Sequence, residues 1–406
     1  METPHTGFEP SPNSAQPSRP RQGLKLILIF LILMMDVVGL MILSPVAPFI
    51  VKQYSPAALA VTMVTMIFAA AQFFSSPLMG KLGDRFGRRP VLLLCLLGQA
   101  AGYIIFGLGG SLWVLYLGRL IGGITAGSIS TASAYIADIS QPHERAKNFT
   151  LVGIAWSLGL IIGPAAGAAL GQISLNAPAF VSAGVLLLGA LVSYFLLPES
   201  LPKEHQNPAP LSLNDFNPVH AILEMGRKPG LGWLLVAYAL FAVGFNGVQS
   251  TASIFYIDKF KADTAQVGTI ITAAGIATGF VQFLLVQAIV RRFGERRVLM
   301  TALVGQALGY LALFLVPRLW LIIPFNMVAA SFGSFIFPTF TTLTVNHVAQ
   351  REVGLLLGVT ASIGSLMNIF GPLYGGMVYD YVMPGAPFWM ATALYALTVI
   401  TIWRKG

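Results

Sequence analysis

The chain has 406 residues, of which 56% are hydrophobic and 10% charged, and its formal net charge is +9. A soluble globular domain carries roughly 25% charged residues, so a water-exposed fold of this size would lack its polar surface, and a mean hydropathy of +0.76 puts that surface against lipid. The positive charge does not point to nucleic acid, because the basic residues fall in short clusters between apolar runs rather than on one face.

Taken in chain order, residues 1–23 are rich in Pro and Ser and read as a disordered cytoplasmic tail. The apolar run over 24–50 is too long for a signal-peptide core and has no small-residue cleavage site, so it is read as a retained first membrane helix. Crossing the hydrocarbon takes roughly 20 residues. Further runs fall at 57–80, 90–109, 112–136, 149–171 and 177–198. After a polar linker over 199–228 come 229–251, 263–290, 297–316, 319–343, 353–378 and 385–403. The expected fold is an all-α membrane protein of twelve transmembrane helices in two pseudo-symmetric six-helix bundles, 24–198 and 229–406. With the N-terminus inside, nineteen Lys and Arg fall in inside segments and four (Lys52, Lys259, Lys261, Arg318) outside, with Arg119 left within a helix. Both termini are therefore predicted to be cytoplasmic. The single cysteine, Cys95, lies in an apolar run, which leaves no disulfide or cysteine-based metal site and assigns it to packing or the lipid face.

The halves are one repeat. DRFGRRPVLLLCLLGQAAGY (84–103) matches RRFGERRVLMTALVGQALGY (291–310) at an offset of 207, and an offset of 208 pairs Glu144 with Glu352 and Gly163-Pro164 with Gly371-Pro372. Parallel repeats of this kind build carriers with a midplane site between the halves.

Asp36, about twelve residues into the first helix, is the only carboxylate well inside a span. An acid there is what a proton carrier needs, its protonation responding to access from either side; a structural acid paired with Arg119 or backbone is the competing reading. In the loop GKLGDRFGRRP (80–90), Gly80 and Gly87 permit a tight turn, Asp84 can sit at a helix N-terminus, and Arg88 can bridge Asp84 to Asp138 at the end of the fourth span. A basic loop that merely sets topology is the alternative. Arg119 begins the fourth span in LYLGRLIGGITAGS, where a charge costs about 2.5–3.5 kcal/mol on insertion scales; an arginine snorkelling to the interface is the alternative. The fifth span, GLIIGPAAGAALG, sets Gly159, Gly163, Gly167 and Gly171 in one stripe, with Pro164 able to kink the helix. Gln72, Tyr135, Trp156, Tyr238, Asn246, Gln249, Gln282, Gln306, Asn326 (the repeat mate of Arg119) and Asn368 are candidates for the substrate cavity, or else packing residues bonded to neighbouring helices. As a group they describe a large pocket of mixed polarity, suited to amphipathic drugs or metabolites.

These motifs resemble those of the major facilitator superfamily, and the resemblance extends over the whole chain. Gly80, Asp84, Gly87, Arg88 and Arg89 match its motif A, which implies a latch, with Asp138, that holds the halves in the outward-facing state; the second copy departs, with Arg291 where the first has Asp84. Arg119 with Gly122, Gly123 and Gly127 resembles motif B, associated with proton coupling. Gly163-Pro164 and Gly167, with Gly159 in the same stripe, resemble motif C of the antiporter branch. MMDVVGLMILSPVAPF, GKLGDRFGRRPVLL and LYLGRLIGGITAG look similar to the twelve-helix drug:proton antiporters, the tetracycline exporters especially. Those carry further functional aspartates in the third and ninth spans, where this chain has Gly102 and Gln306.

The function so implied is export of small amphipathic molecules in exchange for protons by alternating access, through the bacterial inner membrane. The alternatives are a proton-coupled importer or uniporter of sugars or other metabolites, and a non-transporting scaffold. No P-loop, metal cluster, nucleophile–base constellation or cofactor fingerprint occurs in the sequence. The expectation is therefore a non-enzyme with no cofactor beyond the proton gradient. Its partners are a small-molecule substrate and the lipid bilayer, with no nucleic acid, and it acts as a monomer.

Overall fold

The computed structural model describes residues 19–141, 143–201, 218–228, 230–349 and 352–405; most of the predicted tail and of the predicted linker lies outside them. Where no water can satisfy backbone groups, each segment must close its own hydrogen bonds, and among the described residues twelve helices long and apolar enough to cross a membrane result. They are Gln22–Lys52, Ala58–Phe86, Arg88–Leu108, Leu112–Ile139, Lys147–Ile173, Ala177–Leu196, Gly232–Phe260, Thr264–Leu284, Glu295–Leu315, Leu319–Val345, Val353–Tyr381 and Ala386–Trp403, here called the first to twelfth spans. An even number of crossings puts both described ends on one face, called the near face; the opposite one is the far face.

Several boundaries differ from the hydropathy reading, and the second span runs on to Phe86. The first helix already begins at Arg19. The seventh span runs on through its polar end to Phe260, because Asp258 and Lys259 find partners at the far face. The eighth ends at Leu284 and a separate short helix, Val286–Phe293, carries the chain on to Gly294. Two spans are also interrupted. The first stops at Ile42 and resumes at Ala47, across LSPV, and the fourth stops at Ile124 and resumes at Ser128. Irregular backbone at membrane depth is tolerated only inside protein, and for the break in the fourth span the second span supplies the partners: Gln72 Nε2 donates to Ala126 O (3.2 Å) and Ser75 Oγ to Gly123 O (3.0 Å).

In the first half the first span packs on the fifth and sixth, the third on the fourth and sixth, and the second on the fourth. Adding six to each number gives the packing of the second half, and the halves meet through the fifth with the eighth and the second with the eleventh. The repeat is thus physical as well as sequential. Gly87 and Gly294, 207 residues apart, both hold positive φ (97° and 79°) at the turns into the third and ninth spans. Arg89 reaches the last carbonyls of the sixth span, Ser193 O (3.2 Å) and Tyr194 O, and its repeat mate Arg296 reaches those of the twelfth, Ile402 O (3.0 Å) and Trp403 O (3.2 Å). Each arginine caps a helix C-terminus whose carbonyls lack intrahelical partners.

At the far face the halves are joined. Lys52 pairs with Asp258, which also accepts from Tyr379 Oη (2.9 Å). The carboxylate of Asp380 caps the second span by accepting from Ala58 N (2.9 Å) and Leu59 N (2.8 Å). Gln172 Nε2 donates to Thr264 Oγ1 (2.8 Å). Toward the near face the helices at the boundary loosen: a Cβ added at Gly80, Gly153, Gly279, Gly354 or Gly358 would meet nothing within 4 Å.

Candidate functional site

Asp36 is buried (4% exposed) in the first span. Its Oδ1 accepts from Gln99 Nε2 (3.0 Å) and its Oδ2 from Ser128 Oγ (2.6 Å), while Gln99 Nε2 also lies 3.2 Å from Ser128 Oγ. Ser128 opens the second piece of the interrupted fourth span, so the break is what brings a hydroxyl and a helix N-terminus to the acid. Hydrogen bonds to a charged group are worth about 1.5–3 kcal/mol each, enough to hold the carboxylate in one orientation. All three residues lie in the first half. Neither Gln99 nor Ser128 is singled out by the sequence, because neutral residues 63 and 92 positions away carry no local signal.

The second half has the scaffold without the acid. Gly163 abuts Met41 as Gly371 abuts Asn246, which aligns Asp36 with Phe241; the offset of 207 aligns Gln99 with Gln306 and Ser128 with Phe335. Phe241 sits among Tyr395 (5.4 Å between centroids) and Phe340 (6.0 Å). Gln306, with no acid to bind, donates to Tyr310 Oη (3.2 Å).

Arg119 does not pair with Asp36. Its guanidinium lies over the Phe68 ring (4.2 Å to the centroid) and its Nε donates to Val64 O (3.4 Å), both on the second span. A cation over an aromatic face gains about 0.5–2 kcal/mol, which offsets part of the insertion cost. Arg119, Tyr103 and Gln99 line one narrow crevice, so the arginine approaches Asp36 through Gln99.

The segment 80–90 is not the expected loop but two helix ends joined at Gly87, and it forms the predicted network. Arg88 Nη2 meets Asp84 Oδ1 (2.6 Å) and Arg88 Nε meets Asp138 Oδ2 (3.1 Å), which also accepts from Ser200 Oγ (3.0 Å). Every one of these residues belongs to the first half or its C-terminal extension, so in this state the network ties the second, third and fourth spans to each other. Glu199, unnoticed in the sequence, caps the third span by accepting from Arg88 N (2.8 Å) and Arg89 N (3.1 Å). Gly87 leaves room for that carboxylate, and Gly83 for the side chain of Arg88, whereas Gly80 has open space.

On the fifth span, Gly159, Gly163 and Gly167 face the first span. A Cβ at Gly163 would fall 2.9 Å from Met41 C and 3.1 Å from Ile42 N, and one at Gly167 2.9 Å from Ile42 C. The opposite side of the same helix crosses to the second half, where Gly275 of the eighth span lies against Leu160 O and Gly268 against Pro164 O. The glycine stripe thus presses the fifth span onto the helix bearing Asp36 while its other side rides on the partner half. Gly371 and Gly375 repeat the arrangement against the seventh span.

The family model described as Major Facilitator Superfamily matches residues 29–263 and 234–405. The chain belongs to the major facilitator superfamily. It is 32% identical to the tetracycline resistance protein, class C, of Escherichia coli, over 94% of this chain and 96% of that one. It is 28% identical to multidrug resistance protein 2 of Bacillus subtilis (strain 168), over 93% and 95%. In fold it is similar to a bacterial homolog of the human lysosomal transporter Spinster in an inward-facing, occupied conformation (TM-score 0.74, 18% identity, 95% and 96% covered). It is likewise similar to the human organic anion transporter MFSD10 (TM-score 0.69, 24% identity, 95% and 100% covered). Within the superfamily the chain stands with the drug-resistance transporters, as its motifs imply.

Against the superfamily frame the cavity candidates divide. Gln72 serves the break in the fourth span, Tyr135 is fully buried and donates to Pro198 O (2.8 Å), Asn246 donates to Ala242 O (2.9 Å), and Gln306 is turned into its own half. These four are framework contacts. Tyr238 is buried in an aromatic cluster with Phe241, Phe337 and Phe340. Trp156, Gln249, Gln282 and Asn368 are exposed, and Asn326 is half-buried. An amide exposed at membrane depth is costly against hydrocarbon and belongs beside water.

Proposed function

We propose that this transporter exports small amphipathic molecules from the bacterial cytoplasm in exchange for protons, as a monomer in the inner membrane with the near face cytoplasmic. The observation that carries the reading is Asp36: a single carboxylate at membrane depth, held by Gln99 and Ser128 and pressed from behind by the fifth-span glycines. Arg119, sharing a crevice with Gln99, is the cation that can answer a change of charge on Asp36. Trp156, Gln249, Gln282 and Asn368 supply the polar and aromatic lining of the pathway, with Tyr238 and Asn326 at its margin. The resistance relatives favour export over import. No bound cofactor is needed, since the proton gradient supplies the energy. The test is a panel of toxic compounds applied to cells expressing the chain, with and without a protonophore. Lower accumulation of at least one compound, abolished by the protonophore, is expected; protonophore-insensitive protection or substrate accumulation overturns the reading.

Alternating access requires two closures that exclude each other. We assign the far-face closure to Lys52–Asp258, and to the Asp84–Arg88–Asp138 network, which lies within the first half and is formed alongside that pair, the shaping of the near-face helix ends that meet the second half when the near face closes. A half-exposed ion pair is worth up to about 1 kcal/mol, so Asp258→Asn is expected to raise far-face openness about fivefold. Labelling of a cysteine placed at Leu59 reads this directly. Asp84→Asn is expected to shift labelling the other way, and equal labelling of both variants and the parent removes the assignment.

A further inference from the structure

We infer that the near-face junction of the first, third and sixth spans is a binding site for one anionic phospholipid. A cleft of about 540 Å3 opens there, lined by Leu24, Lys25 and Leu28 of the first span, Arg89 of the third and the 195–198 end of the sixth. Two cations share it. Among the described residues no carboxylate pairs with either: Lys25 has no hydrogen-bond partner, and the Arg89 guanidinium bonds to the neutral carbonyls of Ser193 and Tyr194 and lies 5.6 Å from the centroid of the Tyr194 ring. Carbonyls satisfy the donors of a guanidinium and leave its charge uncompensated. The nearby acid, Glu199, turns to the amides of Arg88, Arg89, Ser200 and Leu201 and forms no ion pair with either side chain among the described residues.

The remaining wall is apolar and uncovered, with Phe195 72% and Leu24 59% exposed, above a floor of buried Leu28 and Leu197. Two unpaired cations at the helix ends with an open apolar slot on their membrane side match a phosphodiester headgroup above an acyl chain. A soluble anion would use the cations and leave the slot empty; a zwitterionic phospholipid offers the same phosphodiester but brings a third cation to the two already there. A basic residue near an anionic headgroup is worth about 1 kcal/mol. This inference stands apart from the transport reading and holds whichever way substrate moves.

Native mass spectrometry of the purified full chain tests it, with dioleoyl phosphatidylglycerol and dioleoyl phosphatidylcholine offered in competition. The parent is expected to retain phosphatidylglycerol preferentially, and Lys25→Gln to cut that preference about fivefold, while Arg318→Gln on the far face leaves it unchanged. Equal retention of the two lipids by the parent, or full preference in Lys25→Gln, overturns the site. A phosphatidylglycerol with a photoreactive acyl chain gives a second reading that needs no variant. Cross-links are expected in the 24–28 or 195–198 segments of the parent, and labelling confined to other segments overturns the assignment.

Discussion

Asp36→Asn is expected to abolish proton-driven efflux, to the rate of empty vesicles, in proteoliposomes with an imposed pH gradient. The change is nearly isosteric, and the site tolerates it: Ser128 Oγ can still donate to the remaining carbonyl oxygen, and the amide can donate to Gln99 Oε1. The variant should therefore fold, insert and bind substrate, and it should still exchange labelled for unlabelled substrate when no proton need move. Because the second half holds Phe241 and Phe335 in the matching places, nothing there can take over the proton. Wild-type uphill efflux by the asparagine variant would remove Asp36 from the coupling role. Loss of exchange together with efflux would make it a structural acid.

The second large effect is expected at Gly163. A valine there sets its Cβ against the backbone of Met41 and Ile42, and backbone cannot rotate away as a side chain can. The fifth span must lift from the first, and an overpacked helix contact costs typically about 1–3 kcal/mol. Gly163→Val should lower the melting temperature in detergent clearly and reduce efflux below about a tenth of the parent, since the same displacement disturbs the helix that carries Asp36. Gly153→Val on the same helix is the control: its Cβ meets nothing within 4 Å, so the melting temperature should match the parent's. Equal losses at both positions would mean that helix propensity, not close approach, is at work.

Much of the architecture is legible in the sequence because lipid imposes one rule on every segment. Twelve apolar runs become twelve spans, and the 207-residue offset reappears as matched packing, matched positive-φ glycines and matched arginine caps. The Asp84–Arg88–Asp138 contact is legible too, since three charges at neighbouring helix ends have few other partners. What the sequence hides is tertiary and neutral. The partners of Asp36 are an amide and a hydroxyl from two other helices, and Ser128 reaches the acid only because the fourth span breaks at Thr125–Gly127, a break that Gly127 alone does not announce. Arg119 attracts attention as a mate for Asp36, yet an aromatic face and a carbonyl lie nearer. Gln72 and Tyr135 read as cavity residues because their type is right; only the fold reveals that a broken helix and a neighbouring helix end use their hydrogen bonds. Asp258 and Asp380 pass as loop acids until the two halves are brought together.

The confinement of the core carboxylate to one half bears on energetics. If Asp36 alone carries the exchange, each cycle moves one proton, and each proton is worth about 2.3 kcal/mol per 100 mV of driving force. At about 1.4 kcal/mol per decade, that holds a neutral solute inside the cell at most about fiftyfold below the medium for every 100 mV. A transporter with one such acid is a shallow pump, and protection against a toxic compound then depends as much on how slowly it leaks back through the bilayer as on how fast it is expelled.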